Sequence, residues 1–295
     1  MDGRRSVQEA ATFWAMASAF LVTVVWFVIR PQAVSGLPAA PPNNFPHEDL
    51  DRVLQQFVND EGLVNYAALK RNRTDLDRYY ALLGAYSPDS DPGMFPTQES
   101  RLAYWLNAYN TAVIETVLAF YPIASVEDVR PPAPLFFMPR KSGFFLFQQI
   151  ILGGKTRSLY SLENSVIRRR FADPRVHFAL NCASVGCPHL PRYAFTAEQL
   201  EHQLDHATRQ FVAEPRNLRI DHETRTVWMP SIFKWYQSDF TGWYRQRFPD
   251  KAATLTNYVA LYLPPEEAAD LMSSAAYRVR FFEYDWRLND QNPVR

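Results

Sequence analysis

Residues 175 to 191 constrain this chain more than any other stretch: Arg-Val-His-Phe-Ala-Leu-Asn-Cys-Ala-Ser-Val-Gly-Cys-Pro-His-Leu-Pro. They hold both cysteines of the protein and two of its six histidines. Val176 to Cys182 is apolar apart from His177 and Asn181, and Ala183-Ser184-Val185-Gly186 then gives way to Pro188 and Pro191. The pattern predicts a buried strand that runs into a tight loop. With a period of two, His177, Ala179 and Asn181 share one face, and Phe178, Leu180 and Cys182 the other. His177 and Cys182 are five apart, so a straight strand points them to opposite faces. A Cys–His pair within hydrogen-bond reach then needs a bend before Cys182, or a base from elsewhere. Cys187 lies beyond the strand and is placed to curl back toward the His177 face. The other use of the two thiols is a bridge, and closing so short a loop adds only about 2 kcal/mol in chain-entropy terms.

The 295 residues carry 31 basic and 31 acidic side chains, and this balance argues against a nucleic-acid binder, which shows a basic excess. Ala10 to Ile29 is an uncharged run of twenty residues closed by Arg30 and Pro31. As a helix it spans roughly 30 Å, one bilayer core. A secretory signal has a shorter apolar region, so the run is read as an uncleaved anchor, with Ala33-Val34-Ser35 as the cleavage site of the alternative. Arg4 and Arg5 place the N-terminus in the cytoplasm and the body on the exported side, periplasmic or extracytoplasmic. The expected division is residues 1–30 as anchor or signal, 31–46 as a Pro/Ala/Asn-rich linker and 47–295 as one domain.

Within that domain, Leu50, Val53, Leu54, Phe57 and Val58 recur at helical spacing, and Leu69 to Leu83 predicts a second helix. Ser100 to Phe120 is the clearest helix, with Leu102, Trp105, Leu106, Tyr109, Val113, Val117 and Phe120 in one apolar stripe. Asn107 and Asn110 lie beside that stripe. Asn competes with the backbone inside helices, so two of them near the core edge predict specific hydrogen bonds, in the plainest case to nearby backbone groups. Residues 144–152 and 156–160 around Gly153-Gly154-Lys155 read as a hairpin, and the Gly-Gly-Lys lacks the spacing of a phosphate loop. No cofactor motif is present. Ser161 is the expected cap of a helix to about Arg170, and Thr196 of another to Val212. His202 and His206 are four apart, a metal-compatible spacing, but no Glu or Cys nearby completes a ligand set. A second hairpin (218–220 with 227–229), helices opening at Ser231 and Ala252 and a strand over 277–282 complete the chain. The fold class is α+β: a helix-rich domain with a small, mostly antiparallel sheet containing 176–182, preceded by the transmembrane helix.

Four stretches, in order, carry a resemblance: Tyr104-Trp105-Leu106-Asn107-Ala108-Tyr109-Asn110; His177 to Ser184 with Cys187-Pro188; Ile232-Phe233-Lys234-Trp235-Tyr236 with Asp239-Phe240; and Tyr284-Asp285-Trp286 with Leu288-Asn289. Together they resemble the family known as domain of unknown function 547, over roughly residues 50 to 290. The resemblance implies no reaction. It implies that His177, Asn181, Cys182, Ser184, Cys187, Asn107 and Asn110 stand at matching positions, whereas His189 falls where the pattern often has proline.

Three functions compete. A cysteine-dependent hydrolase or acyl transferase would use Cys182 or Cys187 as nucleophile and His177 as base. Asn107, Asn110 or Asn181 would orient the base or donate to an oxyanion, with Asp239 and Asp285 as remote partners for the His. A non-catalytic envelope module would bind a peptide, glycan, small molecule or partner protein on aromatics such as Trp235, Tyr236, Trp243 and Tyr244, with Cys182 and Cys187 bridged. A zinc site would draw on His177, Cys182, Cys187 and His189, though the spacings match no standard pattern and export favours oxidised thiols. For catalysis, His177 and Asn181 must face a pocket beside the 100–120 helix.

Overall fold

The computed structural model describes residues 27–32, 34, 43–272 and 277–293. Strand β1 (Phe27–Ile29) is followed by helices α1 (Glu48–Phe57), α2 (Tyr66–Arg71) and α3 (Thr74–Ala85), and then by the long α4 (Gln98–Phe120). Helix α1 forms from the apolar spacing read in the sequence and buries Leu50, Val53, Leu54 and Phe57. Helix α4 opens on a reciprocal capping box between Thr97 and Ser100. Its residues from Leu102 through Leu118 are all buried, not one stripe of them. The reason is that α2, α3, β1 and β2 (Gln148–Leu152) all pack on it, as does the helical stretch 159–171, so no face is left to water. Its polar residues are accordingly paired. Glu115 takes two hydrogen bonds from Arg73, at 3.0 and 2.8 Å, and the Thr116 hydroxyl donates to the Ala112 carbonyl.

Strands β2 and β3 (Lys155–Ser158) form the expected hairpin. Gly153 and Gly154 both have positive φ, as a two-residue hairpin turn with the sheet's own twist requires. The next stretch, α5, runs over residues 159–171: one α-turn (Leu159–Ser161), a π-helix (Leu162–Ile167) and a closing α-turn (Arg168–Phe171). Its cap is Ser158, whose hydroxyl accepts the Ser161 N–H; Ser161, the expected cap, lies inside.

The predicted strand over 176–182 is absent. Val176–Ala179 is a single helical turn, α6, and Leu180 is extended. The Asp173 carboxylate accepts the Arg175 N–H, the Pro174 carbonyl accepts from His177, and Val176 accepts from Leu180. Asp-Pro is a turn-starting pair, and a short apolar run cannot by itself separate a strand from a buried helical turn. His177 and Asn181 therefore do not share a face.

Helix α7 (Leu200–Ala213), strands β4 (Arg219–Asp221) and β5 (Thr226–Met229), helices α8 (Ser231–Trp235), α9 (Gln237–Arg247), α10 (Leu255–Ala260) and α11 (Pro265–Leu271), and strand β6 (Arg278–Phe281) follow. The α+β expectation holds in its coarse form, but there are two three-stranded sheets, β1-β2-β3 and β4-β5-β6. Each combines one antiparallel hairpin with one parallel edge strand, β1 on β2 and β6 on β5. Each sheet thus takes one strand from a distant part of the chain.

Two apolar clusters result. One surrounds α4 and takes in Val176, Ala179 and Leu180; the other gathers Phe178, Phe211, Phe233, Phe240 and Tyr258. Residues 175–191 are organising because they form the seam between these clusters. The C-terminal segment returns across the seam. Isolated bridges join Val64 to Asp290, Ser125 to Arg287 and Ser184 to Leu288.

Most of the apolar run, residues 10–26, lies outside the described residues. Its last three form β1 and are not helical. No helix among the described residues is long and apolar enough to cross a membrane.

Candidate functional site

Cys182 and Cys187 are joined in a disulfide. The loop between them is held from both ends. Asn181 donates its N–H to Asn110 Oδ1 (2.9 Å) and its side-chain amide to the Pro188 carbonyl (2.8 Å), while its Oδ1 accepts the Ala183 N–H (2.9 Å). Asn110 in turn donates to the Ala179 carbonyl at 3.0 Å. On the far side, the Val185 and Gly186 N–H groups donate to the carbonyls of Arg287 and Asp285. A Cβ on Gly186 would stand 2.9 Å from the Asp285 nitrogen, so this close approach of two backbones needs glycine. Asn110 and Asn181 are therefore loop clips with their hydrogen bonds used up. Asn107 is spent in the same way, exchanging two bonds with the Phe195 backbone (2.8 and 2.9 Å). The expected hydrogen bonds of these asparagines are present, and they go to backbone.

His177 does not meet either cysteine. Its side chain is 2% exposed, and its Nε2 lies 2.9 Å from Asp239 Oδ2. Arg168 grips the same carboxylate through Nε (2.7 Å) and Nη2 (3.0 Å). Burial alone would raise the Asp239 carboxyl; hydrogen bonds from His177 and Arg168 outweigh it and hold the group well below the usual carboxylate range. The imidazole stacks on Tyr236 at 4.0 Å, and the Arg168 guanidinium sits 4.6 Å from that ring. Of the two remote aspartates named from the sequence, Asp239 does partner the His, whereas Asp285 pairs with Arg287.

The other face of this arrangement opens on a cavity of about 570 Å³, the size of a small-ligand site. Tyr109 from α4, Tyr160, Glu163 and Asn164 from α5, Trp235 from α8, Tyr236 from the junction of α8 and α9, and Trp286 from the C-terminal segment line it, with Cys182 in its wall. The segment over residues 138–146, which includes a helical turn at Ser142–Phe145, supplies Lys141 and Phe145. The π-helix carries Glu163; such wider turns recur at functional sites. Glu163 accepts hydrogen bonds from the Tyr236 hydroxyl at 2.5 Å and the Tyr109 hydroxyl at 3.4 Å. Burial, reinforced by Glu163, pushes both phenols above their ordinary range, so both remain donors. Lys141 Nζ lies 4.7 Å from the Trp235 ring and 4.6 Å from the Trp286 ring. Burial lowers its ammonium. The cavity is thus a box of aromatic faces with one carboxylate at depth and one ammonium on the indoles.

Of the residues expected to act, only Cys182 reaches this cavity. Of the aromatics expected to bind, Trp235 and Tyr236 line it; Trp243 borders a different cleft beside Asp239, and Tyr244 is fully buried. Glu163, Lys141, Tyr109 and Trp286 were not singled out as site residues, although Tyr109 and Trp286 lie in the stretches that carry the family resemblance. No group of three or more His, Cys, Asp or Glu among the described residues is arranged to hold a metal ion. His189 instead lies 3.4 Å from Glu214, and His202 stacks on His206.

A second cavity, of about 660 Å³, opens on the side of α1 and includes His47. The Asn107 amide (3.1 Å) and the Tyr79 hydroxyl (2.8 Å) converge on His47 Nδ1. An amide nitrogen can only donate, so Nδ1 accepts and the proton sits on Nε2. Burial lowers this imidazole to about 4, which keeps it neutral near pH 7.

The sequence model of the family described as "Protein of unknown function, DUF547" matches residues 95–212. This covers α4, α5, the disulfide loop and α7, while the third and fourth resembling stretches lie beyond it. No curated protein and no solved structure matches the chain.

Proposed function

We propose that this chain, whose residues 95–212 match the DUF547 family model, is a non-catalytic binding module whose ligand enters the aromatic cavity. The ligand presents a flat apolar face, such as a sugar ring or a planar side chain, to Trp235 and Trp286, and hydrogen-bonding groups to Glu163 and Asn164. The observation that carries this reading is the pairing of two indoles with a carboxylate that two tyrosine hydroxyls hold in place. Indole faces take up cations and the weakly positive C–H faces of sugars alike.

The closed bridge counts against the cysteine hydrolase, because a disulfide leaves neither sulfur as a thiolate. His177 counts against it too, since its proton-carrying nitrogen faces Asp239 in a sealed site. The bridge also suits an oxidising compartment. We therefore propose an exported domain held at the membrane by the apolar residues before β1. Ala10 to Trp26 is seventeen residues, at the short end of what spans a bilayer.

The binding test is intrinsic tryptophan fluorescence of the full chain, titrated with short glycans and with aromatic dipeptides. The expected result is a saturable change that Trp235→Ala abolishes and Trp243→Ala retains, with both variants folded by circular dichroism. Titrations indifferent to Trp235→Ala would remove the cavity from the reading.

A further inference from the structure

The two sulfurs of the bridge are not equivalent. Cys182 is part-exposed and forms part of the cavity wall, whereas Cys187 is 3% exposed and sits behind it. The Cys182 N–H donates to Cys187 Sγ at 2.9 Å. The Tyr284 hydroxyl lies 2.8 Å from Cys182 Sγ and 3.0 Å from Cys187 Sγ. A bridged sulfur carries no proton, so the hydroxyl is the donor. Burial pushes Tyr284 above its ordinary range, which keeps that proton in place near neutral pH. One sulfur is thus reachable, and the other is already supplied with the donors a thiolate needs. The loop the bridge closes is so short that its stabilisation is only about 2 kcal/mol by chain entropy, a modest structural reason for it.

We propose that the cavity is a site of thiol–disulfide exchange, in which a bound small thiol with a flat apolar body attacks Cys182 and displaces Cys187. The proposal rests on the reading that the aromatic cavity takes the ligand. The incoming thiol gives its proton to solvent, and the resulting thiolate forms a new S–S bond to Cys182 Sγ. The Cys182–Cys187 bond breaks, and its electron pair leaves on Cys187 Sγ. The Cys182 N–H and the Tyr284 hydroxyl stabilise that thiolate until it takes a proton from solvent or attacks Cys182 and restores the bridge. The ligand sulfur is oxidised, Cys187 is reduced, and the number of disulfides is unchanged. Better stabilisation of the leaving thiolate speeds such an exchange.

The experiment exposes the oxidised full chain, near neutral pH, to benzyl mercaptan or 2-mercaptoethanol at equal concentration. It is quenched with acid, alkylated with iodoacetamide, and read by intact mass and peptide mapping. Benzyl alcohol, which fits the cavity but cannot exchange, is titrated in parallel by tryptophan fluorescence. The expected result is a benzylthio group on Cys182 and a carbamidomethyl group on Cys187. The benzyl adduct should form about tenfold faster than the 2-mercaptoethanol adduct, the equivalent of about 1.4 kcal/mol. Trp235→Ala should remove that preference. Tyr284→Phe should slow adduct formation about tenfold while leaving the benzyl alcohol titration unchanged. An adduct on Cys187, equal rates for the two thiols, or no adduct would each overturn the proposal. If benzyl alcohol still binds in such a case, the exchange alone has failed; if it does not bind, the cavity reading has failed with it.

Discussion

Tyr236 separates two polar clusters of opposite character. Behind its ring, His177, Asp239 and Arg168 form a satisfied set in which the imidazole is sealed from solvent. In front, Glu163 and Lys141 stand in an open cavity among indoles and phenols. The first cluster stands out in a sequence, because a His among apolar residues asks to be explained. The second does not, because a Glu on a helix and a Lys in a loop read as ordinary surface. The difference teaches that a conspicuous polar residue in an apolar run is first of all one that packing must satisfy. Here it acts on the cavity only by backing the ring that forms its wall.

The sharpest way to break this contrast is to delete one residue from each side. His177→Ala removes a buried stacking partner and leaves Asp239 and Arg168 without their third member. We expect a loss of about 4 kcal/mol in urea unfolding. Glu163→Gln keeps the shape and both tyrosine contacts in weaker form, and should change stability by less than about 1 kcal/mol. If Glu163→Gln costs as much as His177→Ala, the two clusters do not differ as argued.

His47 extends the comparison to the other cavity, where a His is half-buried and reached from outside. Its folded-state value of about 4 lies below the unfolded 6.5. Between these pH values the unfolded chain binds the extra proton, so stability is present above about pH 6.5 and is lost as pH falls toward 4. Glu115, which burial pushes up to about 7 against the pull of Arg73, works in the opposite sense: its contribution is lost as pH rises from its unfolded value toward 7. The two are separated by comparing wild type with His47→Gln in urea at a series of pH values. The stability of wild type relative to the variant should fall by about 3 kcal/mol between pH 7 and pH 4 and be pH-independent above 7. A flat difference would mean that His47 is not held neutral.

Asn110→Ala tests the loop clip. It orphans the Ala179 carbonyl and the Asn181 N–H, both buried, and should cost about 2 kcal/mol. The bridged loop should also loosen, so amide exchange at Asn181 and Ala183 should rise more than the global change explains. Equal change at all amides would make Asn110 a general core residue.

Much of the helical framework was legible from periodicity, because α1, α4 and α7 each bury residues at a spacing that packing rewards. The hydrogen bonding of Asn107 and Asn110 was legible for the same reason, since buried amides must be paired. The strand over 176–182 was misread because alternation in a short apolar run also fits one helical turn, and Asp173-Pro174 decided for the turn. The parallel pairing of β1 with β2 and of β6 with β5 was hidden because no local pattern encodes a partner so far along the chain. The cavity was hidden because it is assembled from α4, a π-helical turn, an irregular loop and the C-terminal segment. A π-turn is set by what packs on it, so nothing in Leu-Glu-Asn-Ser-Val-Ile announces where Glu163 will point.

The smallest expected effect is also the one that most sharpens the cavity side of the comparison. Lys141 spans both indoles, and a flat ligand that stacks on Trp235 and Trp286 must first displace its ammonium. A cation–π contact is worth about 0.5 to 1 kcal/mol when exposed and about 2 kcal/mol when desolvated, so Lys141→Ala, at a half-buried position, should alter stability by about 1 kcal/mol. It should also tighten the binding of a neutral flat probe such as benzyl alcohol by about two- to fivefold, the same energy read as affinity. Raising the salt concentration should leave the gain in place, because it comes from vacating the faces and not from long-range charge. If affinity falls instead, Lys141 is a contact for the ligand, and the cavity then selects polar or anionic groups where the indoles alone suggest a flat apolar face.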